Sequence, residues 1–140
     1  MARFVVEPAV VVKWFIPEEY SSPAARLLDG GTELMGPDTL MFDAGRLVTA
    51  KIRLGELSQD EGVQVLQAVE SVPVRLHPSG PLLEPALRIA ATLDLPLEDG
   101  LGLTVGVHGD CRLVIASNTL YERVQGTPFA IHVKWVGDIR

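Results

Sequence analysis

The chain has 140 residues, 47% of them hydrophobic, with 12 Lys and Arg against 18 Asp and Glu for a net charge of −6. That length and apolar share suit one domain over residues 1–140 that buries its own core. They exclude a disordered chain, and a lone Cys111 excludes an internal disulfide. No apolar run approaches the roughly 20 residues that span a bilayer, no signal-peptide pattern is present, and the expected location is cytoplasmic, away from membranes.

In chain order, Phe4-Val5-Val6 reads as a buried strand, and Ala9–Val12 as a short helical turn after Glu7-Pro8. A continuous apolar run of this kind suits a parallel strand covered on both faces. Ser22 as cap and Pro23 at the first helical position predict a helix over Pro23–Leu28, stopped by Asp29-Gly30-Gly31. Glu33–Gly36 is a weak strand. Pro37-Asp38 opens a longer helix with Leu40, Ala44, Leu47 and Val48 on one face, closed by Arg53-Leu54-Gly55. Ser58 and Glu61 form a capping box before a helix burying Val65, Leu66 and Val69.

Val72–Leu76 reads as a short alternating strand. The next helix has Pro85 near its start and the stripe Leu87, Ala90, Ala91 and Leu93. Residues 99–109 have helical leucine placement but interior glycines at 100, 102 and 106, each costing about 1 kcal/mol against alanine. Arg112–Ala116 is a buried strand, Thr119–Val124 a short helix and Ile131–Trp135 an alternating strand. Alternating strands and helices predict an α/β fold, a mainly parallel sheet with helices on both faces.

Acids stand at several element junctions. Glu7 ends the first strong apolar run, Asp43 lies in the helix after Pro37, and Asp99 follows Leu95-Pro96-Leu97. Ser117 ends the second strong run. Ligands of open parallel sheets bind outside the carboxyl ends of the strands. Three converging carboxylates repel one another unless a cation lies between them, and Mg2+ or Mn2+ suits an all-oxygen set. Each acid alone reads more readily as a helix cap or a solvated residue than as a metal ligand. Net acidity argues against binding nucleic acid by overall charge, so RNA would be held by a local patch or bound cations. Lys13 is open to a phosphate contact or to plain solvation, and Trp14 and Phe15 read as packing or dimer contacts. Glu98 and Asp110 are the further acids that could stand in for a charge absent at Ser117, but Glu98, adjacent to Asp99, would point elsewhere in a helix, and Arg46 could pair with Asp43. His77, His108 and His132 match no ligand spacing.

Residues Val5 to Glu19, with Glu7-Pro8-Ala9 and Lys13-Trp14-Phe15, resemble the opening of PIN-domain proteins of the VapC toxin type. Gly36–Asp43, Arg53–Ser58, Leu97–Leu101 and Leu113–Leu120 follow in family-like order, so the resemblance spans nearly the whole chain. It implies a PIN-like three-layer α/β/α sandwich and a Mg2+- or Mn2+-dependent endoribonuclease. Such proteins are usually the toxin of a toxin–antitoxin pair and commonly homodimers, so RNA and an antitoxin protein are the expected partners. The metal-binding and catalytic acids then fall on Glu7, Asp43 and Asp99. Ser117 stands where the family has a fourth acid, and Lys13, Ser117 and Asn118 are the expected substrate contacts. Glu7 replaces the usual aspartate and Asp43 the usual glutamate. These departures support an alternative, a PIN-fold protein of weakened or lost catalysis that binds an antitoxin-like partner or RNA.

Overall fold

The computed structural model describes residues 2–140, through which run strands β1 (Ala2–Val6), β2 (Thr32–Pro37), β3 (Arg75–His77), β4 (Arg112–Ile115) and β5 (Val133–Trp135). They form one parallel sheet in the order β3-β2-β1-β4-β5. After β1 the chain winds to one side through β2 and β3, then returns past β1 to lay down β4 and β5. The winding direction therefore reverses between β1 and β4.

The described helices are α1 (Pro8–Lys13), α2 (Ser21–Ala25), α3 (Leu40–Arg53), α4 (Gln59–Ser71), α5 (Leu83–Leu93), α6 (Leu97–His108) and α7 (Asn118–Val124). They cover both faces of the sheet, giving an α/β/α sandwich. Strand residues alternate between the two layers as the pleat requires. Val6, Leu34 and Val114 pack under α1–α4 with Val10, Leu40, Val48 and Val69. Val5, Met35, Leu113 and Ile115 pack under α5–α7 with Ala86, Leu101, Leu120 and Val124. Among the described residues no helix is long and apolar enough to cross a membrane.

Local signals decide several boundaries. The Ser58–Glu61 capping box forms in both directions and starts α4. Helix α2 starts at Ser21 rather than at Pro23, after Tyr20 in the left-handed region (φ 66°), and Ser21 rather than Ser22 bonds the preceding loop. Pro37 ends β2 instead of opening α3, as the last residue of the strand, in register with His77 of β3. The segment 72–76 is mostly a connector, and β3 begins only at Arg75. A 3-10 turn over Pro128–His132 occupies the first part of the expected last strand.

The face of α5 differs from the predicted stripe. Leu87 is 60% exposed and Ala91 is also exposed, while Ala86 and Ala90 are buried. The neighbour explains this: α6 brings the bare backbone of Gly100 against Ala86, so close that a Cβ would strike the Ala86 carbonyl oxygen. Gly102 lies against Leu113, and Gly106 against the Cys111 carbonyl. Small residues, not leucines, let α5, α6 and the sheet approach closely.

Gly100→Ala is therefore expected to destabilise by about 1–3 kcal/mol despite its better helix propensity. Gly45→Ala, which meets only Leu66 Cδ2 at 3.9 Å, is expected to be neutral or stabilising by up to about 1 kcal/mol. Urea unfolding of the two variants against the parent reads the contrast.

Candidate functional site

The carboxyl ends of β1 and β4, where the winding reverses, are where an open parallel sheet leaves a crevice. Glu7 is the first residue beyond β1. Its amide donates to Val114 O (3.3 Å), extending the ladder by one bond, and its carbonyl accepts from Val10 and Val11 to begin α1. Its side chain crosses to the other strand. Oε1 accepts the amide hydrogens of Ala116 and, at 3.0 Å, of Ser117. Glu7 is only 6% exposed. Burial pushes its carboxyl from 4.5 up to about 7, with Asp99 adding to the rise, while the Ala116 and Ser117 amides and Lys13 oppose it.

Two helices from opposite layers supply the other acids. Asp43 lies in the first turn of α3, and Glu98 and Asp99 in the first turn of α6. Negative charge is favoured there by the unpaired amides and the helix dipole. Glu7, Asp43, Glu98 and Asp99 line two adjoining clefts, the outer of which also includes Arg46 and Ser117 and offers room of about 160 Å³. That is below the ~300 Å³ of ordinary small-molecule pockets. An ion with its waters or a phosphate edge fits; a nucleotide would lie across the mouth. Asp99 is raised from 3.8 to about 6, first by burial, then by the charges of Glu98 and Asp43.

The structure thus brings Glu7, Asp43, Asp99 and Ser117 together, as the sequence predicts, but it does not gather them around one point. Among the described residues no three His, Cys, Asp or Glu side chains stand close enough to share an ion. Two contacts hold individual acids in place. The amides of Ala116 and Ser117 hold one oxygen of Glu7. Arg46 holds Asp43, its Nε and Nη2 donating to Oδ1 at 3.2 and 3.0 Å, and Nη2 reaches on to Glu98 Oε1 at 3.2 Å. Glu98 is therefore part of the site, although its place beside Asp99 suggested a different direction. The 52 residues separating Arg46 from Glu98 hide their contact from any local pattern.

The remaining expected residues divide. Ser117 lines the cleft, but its hydroxyl caps α7 by accepting from Leu120 N at 3.2 Å. Asn118 is exposed in the first turn of α7 and outside both cleft linings. Lys13 lies on a neighbouring hollow, paired with Glu18 at 3.0 Å, and Glu18 also holds Lys51 at 2.7 Å. Trp14 is a packing residue, its Nε1 donating to Ala24 O at 3.1 Å. Asp110 is absent from both linings.

No family model and no curated protein matches the chain. Solved structures share its fold, among them the following two. The protein PAE2754 from Pyrobaculum aerophilum superposes with a TM-score of 0.68 at 17% identity, over 97% of this chain and 85% of that one. A toxin–antitoxin complex from Klebsiella pneumoniae gives 0.60 at 10% identity, over 96% of each chain.

Both raised carboxyls keep protons in the folded chain where the unfolded chain has lost them. Stability is thus full below the ordinary carboxylate range and falls as pH rises through about 6 and about 7. The Glu7 share is at most about 3 kcal/mol, and that of the more open Asp99 is smaller. Urea unfolding in EDTA should show lower stability at pH 8 than at pH 5. Glu7→Gln, which keeps an acceptor for both amides, should flatten most of that slope.

Proposed function

We propose that the chain is a PIN-domain protein of the VapC type whose acidic cleft hydrolyses RNA phosphodiester bonds. The observation that carries this reading is the meeting of Glu7, Asp43, Glu98 and Asp99 in one cleft at the β1–β4 reversal. The ordered sequence resemblance supports it, and so does the fold shared with a toxin–antitoxin complex.

An oxygen-only donor set suits Mg2+ or Mn2+. Asp99 and the second oxygen of Glu7, which has no hydrogen-bond partner among the described residues, would hold the ion, joined by Asp43 once Arg46 lets go. Such an ion supplies an activated water and charge neutralisation at the phosphate. The chain's own residues do the rest. The Ala116 and Ser117 amides fix the direction of Glu7, and the first turn of α6 aims Asp99 into the cleft. The shallow mouth leaves the RNA bases outside, so sequence preference would come from the surrounding surface. Lys13, neutralised by Glu18, offers no free charge to a phosphate unless that pair opens.

A second reading has its own support. The Arg46 fork on Asp43 and the lack of three carboxylates within reach of one ion favour a chain of weakened catalysis, acting by binding an antitoxin-like protein or RNA. Either reading accommodates an antitoxin partner and a homodimer.

Incubation of the purified chain with mixed RNA, with and without Mn2+, separates the two. Metal-dependent cleavage that Asp99→Asn reduces at least 100-fold is the expected result. Absence of cleavage by the parent at millimolar Mn2+ favours the binding role. Ser117→Asp, which keeps a cap acceptor for α7 and restores a fourth acid, is expected to raise the cleavage rate about tenfold or more.

A further inference from the structure

We propose that Arg46 is a displaceable internal counter-cation that sets how tightly this cleft holds a divalent ion. The inference rests on reading the cleft as a cation site, and it concerns what already sits there. Among the described residues lining the outer cleft, Arg46 is the one cationic side chain, facing Glu7, Asp43, Glu98 and Asp99. Its guanidinium spans the two helical layers, from Asp43 on α3 to Glu98 on α6.

The geometry sets the arginine and an added cation in competition for the same oxygens. Oδ1 of Asp43 already accepts two N–H groups, and Oε1 of Glu98 a third. A metal ion ligated through those oxygens would have to displace them. The guanidinium is also poised to leave. Its side chain is 52% exposed, the Glu98 carboxylate 39%, and ion pairs as open as these hold weakly. Asp43 stays behind, since its own side chain is only 10% exposed and fixed in the first turn of α3. The exchange therefore frees a buried carboxylate by moving an exposed side chain, with no change in the backbone. A phosphate arriving at the mouth would pull in the same direction, because a guanidinium fork suits phosphate oxygens as well as a carboxylate.

Removal of the arginine should accordingly tighten metal binding. By linkage, a cation and Arg46 that compete for the same oxygens weaken each other reciprocally. The test is Mn2+ titration of the purified chain, with free Mn2+ followed by its paramagnetic resonance, for the parent, Arg46→Gln, Arg46→Lys and Arg88→Gln. Arg88 makes an exposed pair with Glu84 at 3.0 Å on α5 and serves as a charge-matched control. Arg46→Gln is expected to bind Mn2+ about tenfold more tightly than the parent. Arg46→Lys, which keeps the charge but loses the fork, should fall between, and Arg88→Gln should match the parent. Melting gives a second readout: in EDTA, Arg46→Gln should melt below the parent, and Mn2+ should raise its Tm by more than it raises the parent's.

Equal or weaker Mn2+ binding by a folded Arg46→Gln overturns the inference and leaves the cation site standing. Should Arg46→Gln fail to fold, Arg46→Lys decides by the same comparison. If neither the parent nor the variants bind Mn2+ at millimolar concentration, the reading of the cleft falls, and this inference with it.

Discussion

The architecture turns on the bond between the Glu7 carboxylate and the amides of Ala116 and Ser117. It closes the gap between β1 and β4, the two strands from which the sheet winds apart. In one residue the main chain extends the ladder, the carbonyl starts α1, and the side chain holds the beginning of α7. A shorter acid at this position would have one methylene less with which to cross between strands. The contact is also costly, because a carboxylate at 6% exposure has lost most of its water, and two amide donors replace only part of it. The upward displacement of its proton affinity measures that shortfall.

Convergence of the remaining acids depends on close packing elsewhere. Helix α6 stands near enough to β1 and β4 to aim Asp99 at Glu7 because glycines line its inward faces. A side chain at 100, 102 or 106 would meet Ala86, Leu113 or the Cys111 carbonyl. These glycines looked like a weakness in the sequence, a helix loosened three times over. In the structure they are contact points, and the propensity lost at each is offset by apolar surface brought out of water on both neighbours.

This division marks what the sequence made legible. Buried parallel strands carry their signal in short apolar runs, so β1 and β4 and the acid or serine ending each could be read directly. The Ser58 capping box was equally plain because its partners lie three residues apart. The inward face of α5 was misread since the pattern assumes that large apolar residues face the core. Here the neighbour is a glycine helix, and alanines face it instead. Arg46 showed how far local reasoning reaches: its pairing with Asp43, three residues away, was visible, whereas the bridge to Glu98 is purely tertiary. Glu98 was discounted because adjacent helical residues normally diverge. At the first turn of a helix opening onto a cleft, both neighbours can line it.

Charge accounting connects these contacts. Four carboxylates and one guanidinium line the outer cleft, an excess of negative charge that burial makes expensive. The fold offers three kinds of relief. Asp43 and Asp99 lie in the first turns of α3 and α6, at the positive ends of the helix dipoles, but a helix dipole amounts to about half a charge and fades within a turn. Protons are the second, and Glu7 and Asp99 both take them up more readily than exposed acids do. Arg46 is the third, and it reaches Asp43 and Glu98 while leaving Glu7 and Asp99 without a side-chain cation bonded to them. Compensation is therefore greatest at Asp43 and Glu98, which share the arginine, and least at Glu7 and Asp99, where positive charge added from solution, whether protons or a metal ion, has the most repulsion to relieve.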